Sequence, residues 1–308
     1  MRIAIIHTRN QIPNISKKQK VALILTLLLF FTQCTSKAPA QFDSERAYKD
    51  IEYQLSLGPR TTGSQAHLEV RRFISTELER SGWEVEAPEQ SLEGKDIYNI
   101  IGKRGNGDRW VIIGAHYDSR LLADHDPDPS LRSQPVPGAE DGASGVAVLL
   151  ELARILPKNL DKTIWFVFFD AEDNGNIAGY DWIMGSRAFV QTLIDKPDEA
   201  IIIDMIGDAD LNIYQEKNSD QNLSETIWEV ANNLGYNQFI PVPKYRILDD
   251  HIPFIEVGIP AVDIIDFDYP YWHTTQDTLD KVSEQSLKVI GDTLSAYILE
   301  QNVSAIEK

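Results

Sequence analysis

Four short, largely apolar runs set the strongest limit on how this chain can fold. Trp110–Ala115, Ile164–Phe169, Ile201–Ile206 and Ile259–Ile265 are each rich in β-branched or aromatic side chains. Strands with one face in water alternate polar and apolar residues, whereas continuous runs of this length predict strands covered on both faces. Helical patterns fall between them, at Val146–Leu156, Ser186–Ile194 and Glu225–Leu234, the last ended by Gly235. Ser64 stands as a cap for an earlier helix carrying Leu68, Phe73 and Leu78. A final amphipathic helix from Ser283 presents Leu287, Ile290, Leu294 and Ile298 on one face. Strands alternating with helices predict an α/β protein: a three-layer α/β/α sandwich around a mixed, largely parallel sheet.

Domain organisation follows from what interrupts this pattern. Residues 1–33 carry basic residues and no acidic ones, with Lys17-Lys18-Gln19-Lys20 leading into the apolar run Val21–Phe31. That run is short for a membrane span and has the flanks of an export signal. Cys34, the only cysteine, follows at once, so residues 1–33 resemble a lipoprotein signal whose cysteine is lipidated; an incidental cysteine in an ordinary signal is the alternative. Residues 34–43 then form a tether, and 44–308 a single catalytic domain with no second linker. The expected location is outside the cytoplasm, periplasmic or held to a membrane only through Cys34. A net charge of −18 repels phosphate backbones, which excludes nucleic acid as a natural ligand.

Function is legible at the carboxyl ends of the runs, where side chains of open α/β sheets converge. The first leads into His116-Tyr117-Asp118, the second into Asp170-Ala171-Glu172-Asp173, the third contains Asp204, and the fourth precedes Trp272-His273. Asp141 opens the helical stretch after Gly138-Ala139-Glu140. Zinc suits such a mixture, since it takes imidazole nitrogen and carboxylate oxygen, while magnesium and calcium prefer all-oxygen shells. Each residue also has an ordinary reading: Asp141 as a helix cap, Glu172-Asp173 as a solvated pair, His273 as a loop hydrogen-bonding group. Asp204 is harder to dismiss, because an aspartate within Ile-Ile-Ile-Asp-Met-Ile needs a partner or a metal when buried.

The motifs resemble the zinc exopeptidase superfamily that holds the aminopeptidases, and within it the glutaminyl-peptide cyclotransferases. The resemblance spans Leu57-Gly58-Pro59-Arg60 to Asp280 and includes Gly114-Ala115-His116-Tyr117-Asp118-Ser119, Asp141-Gly142-Ala143-Ser144-Gly145 and Trp272-His273-Thr274. Asp249-Asp250-His251-Ile252-Pro253-Phe254 is its most specific part, and Phe169-Asp170-Ala171-Glu172-Asp173 is similar to the bacterial form. The resemblance implies Asp141, Asp173 and His273 as ligands of one zinc and Glu172 as general acid/base. It implies Asp204 and Asp249 as a carboxylate network beside Glu172, and Trp182, Ile247 and Trp272 as the pocket lining. The implied partners are peptides or proteins beginning with glutamine, converted to pyroglutamate with loss of ammonia. A two-zinc aminopeptidase would use the same residues plus His116, with Asp204 as a ligand, and the sequence leaves that alternative open. A non-catalytic binding protein on the same fold would lack ligands, and none is missing.

Overall fold

A computed structural model describes residues 41–300, which fall within one compact unit. The expected export signal, Cys34 and most of the tether lie outside the described residues. Among the described residues no helix is long and apolar enough to cross a membrane.

Six strands form the main sheet: β1 (Glu84–Glu86), β4 (Ile100–Arg104), β5 (Trp110–His116), β6 (Thr163–Phe169), β7 (Glu199–Asp204) and β10 (Ala261–Ile265). Their spatial order is β1-β4-β6-β5-β7-β10. β6, β5, β7 and β10 run parallel, and β4 and β1 continue the sheet antiparallel, so the sheet is mixed and largely parallel as expected. Two small sheets lie apart, one pairing β2 (Gln90–Leu92) with β3 (Lys95–Ile97), the other β8 (Ile213–Gln215) with β9 (Phe239–Pro243).

Burial of both faces explains the apolar runs. Ile113, Ala115, Phe166, Phe168, Ile201, Ile203 and Val262 enter the larger core. Their chain neighbours Ile112, Val167, Phe169, Ala200, Ile202 and Ala261 enter a second core on the opposite face. This is the two-residue period of a pleated strand with no wet side. The larger core is closed by α1 (Ser44–Ser56), α2 (Gln65–Arg80), α3 (Ala143–Ile155), α5 (Gln221–Asn233) and α7 (Glu284–Glu300). The second is covered by the short α4 (Met184–Val190) and α6 (Ile252–Glu256). α3 is the central helix: all its residues but Arg154 are buried, and its one buried acid, Glu151, is paired bidentately by Arg46 at 2.6 Å.

The chain leaves β5 for β6 on one side and later for β7 on the other, so the strand order reverses at β5. Such a reversal opens a crevice at the carboxyl ends of the flanking strands, where ligands bind in open α/β sheets. Two strands have other bounds than the apolar runs suggested, the third starting and ending two residues earlier and the fourth being shorter. The third ends at Asp204, because Met205 turns into a left-handed conformation with φ 44°, and the fourth begins at Ala261, after Pro260. Close approach of α3 to the sheet depends on Gly145, where a Cβ would meet the Ala115 Cβ and the Ile203 carbonyl at 2.9 Å each. Gly145→Ala is expected to lower unfolding stability by about 1–3 kcal/mol through overpacking, read as a reduced urea midpoint at unchanged m-value.

Candidate functional site

The crevice above β5 gathers polar side chains from five separate segments. His116 ends β5, Glu172 and Asp173 follow β6, Asp204 ends β7, Asp141 precedes α3, and His273 follows β10. All six are at least nine-tenths buried. Their loops are held by a polar frame. Asp118, buried just past β5, accepts the amides of Glu172 (3.1 Å) and Asp173 (3.4 Å) and the Asn174 side-chain amide (3.2 Å). Asp277 accepts the amides of Glu140 (2.9 Å) and Asp141 (3.2 Å). The buried Arg120 guanidinium donates to the carbonyls of Asp173 (2.9 Å) and Gly175 (3.1 Å). Beneath them the fully buried Arg60 donates to the carbonyls of Tyr117 (3.2 Å), Pro137 (2.8 Å) and Gly138 (2.6 Å).

Asp141 is not the cap of its helix. Gly142, at φ 97°, takes the N-cap position without a side-chain bond, and a Cβ there would lie 2.5 Å from the Asp118 carbonyl oxygen. The Asp141 carboxylate is thereby released into the crevice, with Oδ1 3.2 Å from His116 Nε2 and Oδ2 3.7 Å from His273 Nε2. His273 Nε2 lies 2.8 Å from Asp173 Oδ1, and His116 Nε2 lies 3.0 Å from Asp204 Oδ1. Glu172-Asp173 is not a solvated pair either, being buried beside these groups. Four non-glycine residues around the crevice adopt left-handed backbone: Ala171, Ile183, Met205 and His273, with φ between 44° and 56°. Such conformations cost energy and persist where surrounding structure over-determines them.

The electrostatics follow from crowding. Burial, with further repulsion from Asp173, Asp249 and Asp250, raises the Glu172 pKa well above the carboxylate range despite attraction from His116. Burial pushes Asp204 to about 7 and, with repulsion from Asp141, Asp173 to about 6. Burial disfavours charge on His116, yet Asp204, Asp118 and Asp141 outweigh it and raise its pKa well above that of ordinary imidazole. Asp141 is shifted the other way: contacts with His116, His273 and Arg120 overcome burial and hold it below the usual range.

The crevice opens into a cavity of about 220 Å3. Asp141, Glu172, Asp173, Asp204 and Asp249 line its floor, and Trp182, Ile247, Phe267 and Trp272 its walls. The indole of Trp182 stacks on His273 (centroids 5.9 Å, 13°), and Trp272 lies against the same imidazole at 3.8 Å. Every site residue expected from the sequence therefore reaches one place. Phe267 and the frame of Asp118, Arg120 and Asp277 were not foreseen as contributors. Their one sequence signal is position, since Asp118 and Arg120 directly follow the His116 strand end.

The donor chemistry accommodates a metal ion. Asp141, Asp173 and His273 each offer an atom within 4.8 Å of the others, as do His116, Asp141 and Asp204. Asp141 Oδ2, Asp173 Oδ2 and His273 Nδ1 are buried without a hydrogen-bond partner, and His273 Nε2 faces only carboxylates. Buried polar atoms are rarely left so, and a two-oxygen, one-nitrogen set matches a catalytic zinc site with an open position.

A buried carboxylate–imidazole donor set at the switch point of an α/β/α sandwich is the layout of a metal-dependent exopeptidase-like enzyme. The model of Peptidase family M28 matches residues 99–298, and the chain belongs to that family. It is 35% identical to the glutaminyl cyclase of Tannerella forsythia, whose crystal structure superposes with a TM-score of 0.78 over 84% of this chain and 99% of that one. A Zn-dependent exopeptidase from Parabacteroides distasonis superposes with a TM-score of 0.80 at 32% identity, over 85% of this chain and 99% of that one. The glutaminyl-peptide cyclotransferase of Drosophila melanogaster is 25% identical over 82% of this chain and 79% of its own length.

Loss of the Arg60 guanidinium would strand three carbonyls together. Arg60→Met is expected to reduce unfolding free energy by about 3–5 kcal/mol, measured by chemical denaturation, because three acceptors lose their donor.

Proposed function

We infer that the protein cyclises N-terminal glutamine of peptides or proteins to pyroglutamate with release of ammonia. The observation that carries this is the small aromatic-walled cavity in which the buried Glu172 stands beside the Asp141–Asp173–His273 donor set. A cavity of about 220 Å3 suits one folded-back glutamine side chain. The similarity to glutaminyl cyclases over most of both chains supports the same reading.

In the reaction the α-amine nitrogen forms a bond to the γ-amide carbon of its own residue, and the bond from that carbon to the amide nitrogen breaks. Asp141, Asp173 and His273 would hold one zinc, which supplies a Lewis acid for the γ-carbonyl oxygen. Glu172 takes the proton lost by the attacking amine and delivers it to the departing nitrogen, which leaves as ammonia. Burial gives Glu172 the raised proton affinity that a general acid/base needs near neutral pH. Asp204 and Asp249 line the cavity beside Glu172. Trp182, Trp272 and Ile247 enclose the side chain and keep water from competing as nucleophile.

We propose one zinc rather than two because cyclisation needs no activated water nucleophile; His116, Asp141 and Asp204 form a second candidate set, with donor atoms within 4.8 Å of one another. The aminopeptidase alternative requires a second metal on His116, Asp141 and Asp204. We further propose that residues 1–33 direct export and that Cys34 carries a lipid anchor, leaving the catalytic domain in the periplasm or at a membrane surface; this rests on the sequence of that segment.

Incubation of the zinc-loaded protein with Gln-initiated peptides is expected to give products lighter by the mass of ammonia in mass spectrometry. Release of free N-terminal residues with no pyroglutamate would overturn the reading. Glu172→Gln is expected to lower kcat by at least about 10²-fold with zinc content unchanged. Asp141→Ala is expected to lose zinc, measured by elemental analysis, and activity together.

A further inference from the structure

The proposed reaction uses only Asp249 of the Asp249-Asp250-His251 motif. His251 is fully buried behind the cavity wall, immediately before α6. Its Nε2 lies 3.2 Å from Glu216 Oε2 and its Nδ1 3.7 Å from Asp263 Oδ2. Glu216 directly follows β8 and is anchored by the protein around it. It accepts the amides of Ile247 (2.9 Å), Asn218 (2.7 Å) and Ser219 (2.8 Å), and the Ser219 hydroxyl (3.1 Å). Burial alone would raise its pKa, yet His251 and these amides hold it below the usual carboxylate range.

Asp263 sits in the middle of β10 opposite Ile202, wholly buried, with both carboxyl oxygens unpartnered. Donor atoms of Asp249, His251 and Asp263 lie within 4.8 Å of one another, and Asp249 Oδ2 is also unpartnered. The four groups thus lead from an anchored carboxylate, through an imidazole and a strand carboxyl, to a residue on the cavity floor. Glu216 beside Nε2 favours the His251 tautomer that carries hydrogen there, and Nδ1 then faces the Asp263 carboxyl at 3.7 Å, a contact longer than a hydrogen bond. Asp263 in turn places a carboxyl oxygen within 4.8 Å of Asp249.

We propose that Glu216 and His251 are positioning residues that act through Asp263 to hold the Asp249 carboxyl against Glu172. This rests on the cyclisation reading, in which Asp249 belongs to the network beside the proton-carrying group. Groups that work as one unit give non-additive losses when removed, and that property separates a relay from independent packing effects.

The test is steady-state cyclisation of a Gln-initiated peptide by the full zinc-loaded chain, its His251→Asn and Asp263→Asn variants, and the double variant. Each single substitution is expected to lower kcat about tenfold, with KM within about twofold and zinc per chain unchanged. The double variant is expected to fall about tenfold as well, not a hundredfold. Glu216→Gln serves in the same cycle with Asp263→Asn if His251→Asn does not fold. Unchanged kcat, multiplicative losses, or a rise in KM alone would overturn the proposal. Loss of a zinc equivalent in His251→Asn would also overturn it, making the cluster a metal site instead. Pyroglutamate absent with the unsubstituted chain would remove the functional reading itself, a result distinct from all of these.

Discussion

Mutual repulsion among buried carboxylates is the constraint around which this protein is built. Glu172, Asp173, Asp141, Asp204 and Asp249 line a single small cavity, and the cations nearest them are few and specifically placed. Water would separate such charges; the fold instead holds them together through contacts made elsewhere. The two-sided apolar sheet and the all-round buried α3 supply the cohesion. The His116 imidazole reduces the charge that remains, and a metal on Asp141, Asp173 and His273 would reduce it further.

A polar frame makes this crowding reproducible. Asp118 ties the end of β5 to the loop after β6 by accepting consecutive amides, so Glu172 and Asp173 leave the backbone in fixed and different directions. Asp277 does the same for Glu140 and Asp141 from the far side. Arg60 spends its hydrogen bonds on carbonyls, and Arg120 divides its own between two carbonyls and the Asp124 carboxylate. They order the loops while adding positive charge beside the crowded carboxylates.

How far the sequence foretold this depended on whether a signal was local. The central parallel strands were legible because burial on both faces leaves a continuous apolar run in the chain itself. β4 was not, since Ile100-Ile101-Gly102-Lys103-Arg104 is short and ends in charges, although it pairs with β6 along its whole length. β8 and β9 were missed for a similar reason, being short and half-exposed. Asp204 and His273 could be singled out because a charged or ligating residue at the end of an apolar strand is conspicuous. The freedom of Asp141 could not, because only the geometry of Gly142 shows that capping is declined. Asp263 lay hidden inside an apparently apolar strand, and its partners Glu216 and His251 come from segments far apart in the chain. Such contacts have no counterpart in periodicity or motif spacing.

The left-handed residues around the crevice bear on how this enzyme could be altered. Ala171, Ile183, Met205 and His273 each stand where glycine would relax the backbone at little steric cost. A search for greater heat resistance would therefore be drawn to these positions first. Yet they are the joints at which strand ends turn to aim Glu172, Trp182, Asp204 and an imidazole donor. Relaxing them would trade aim for durability, so the most accessible routes to a tougher protein run through the parts that make it an enzyme.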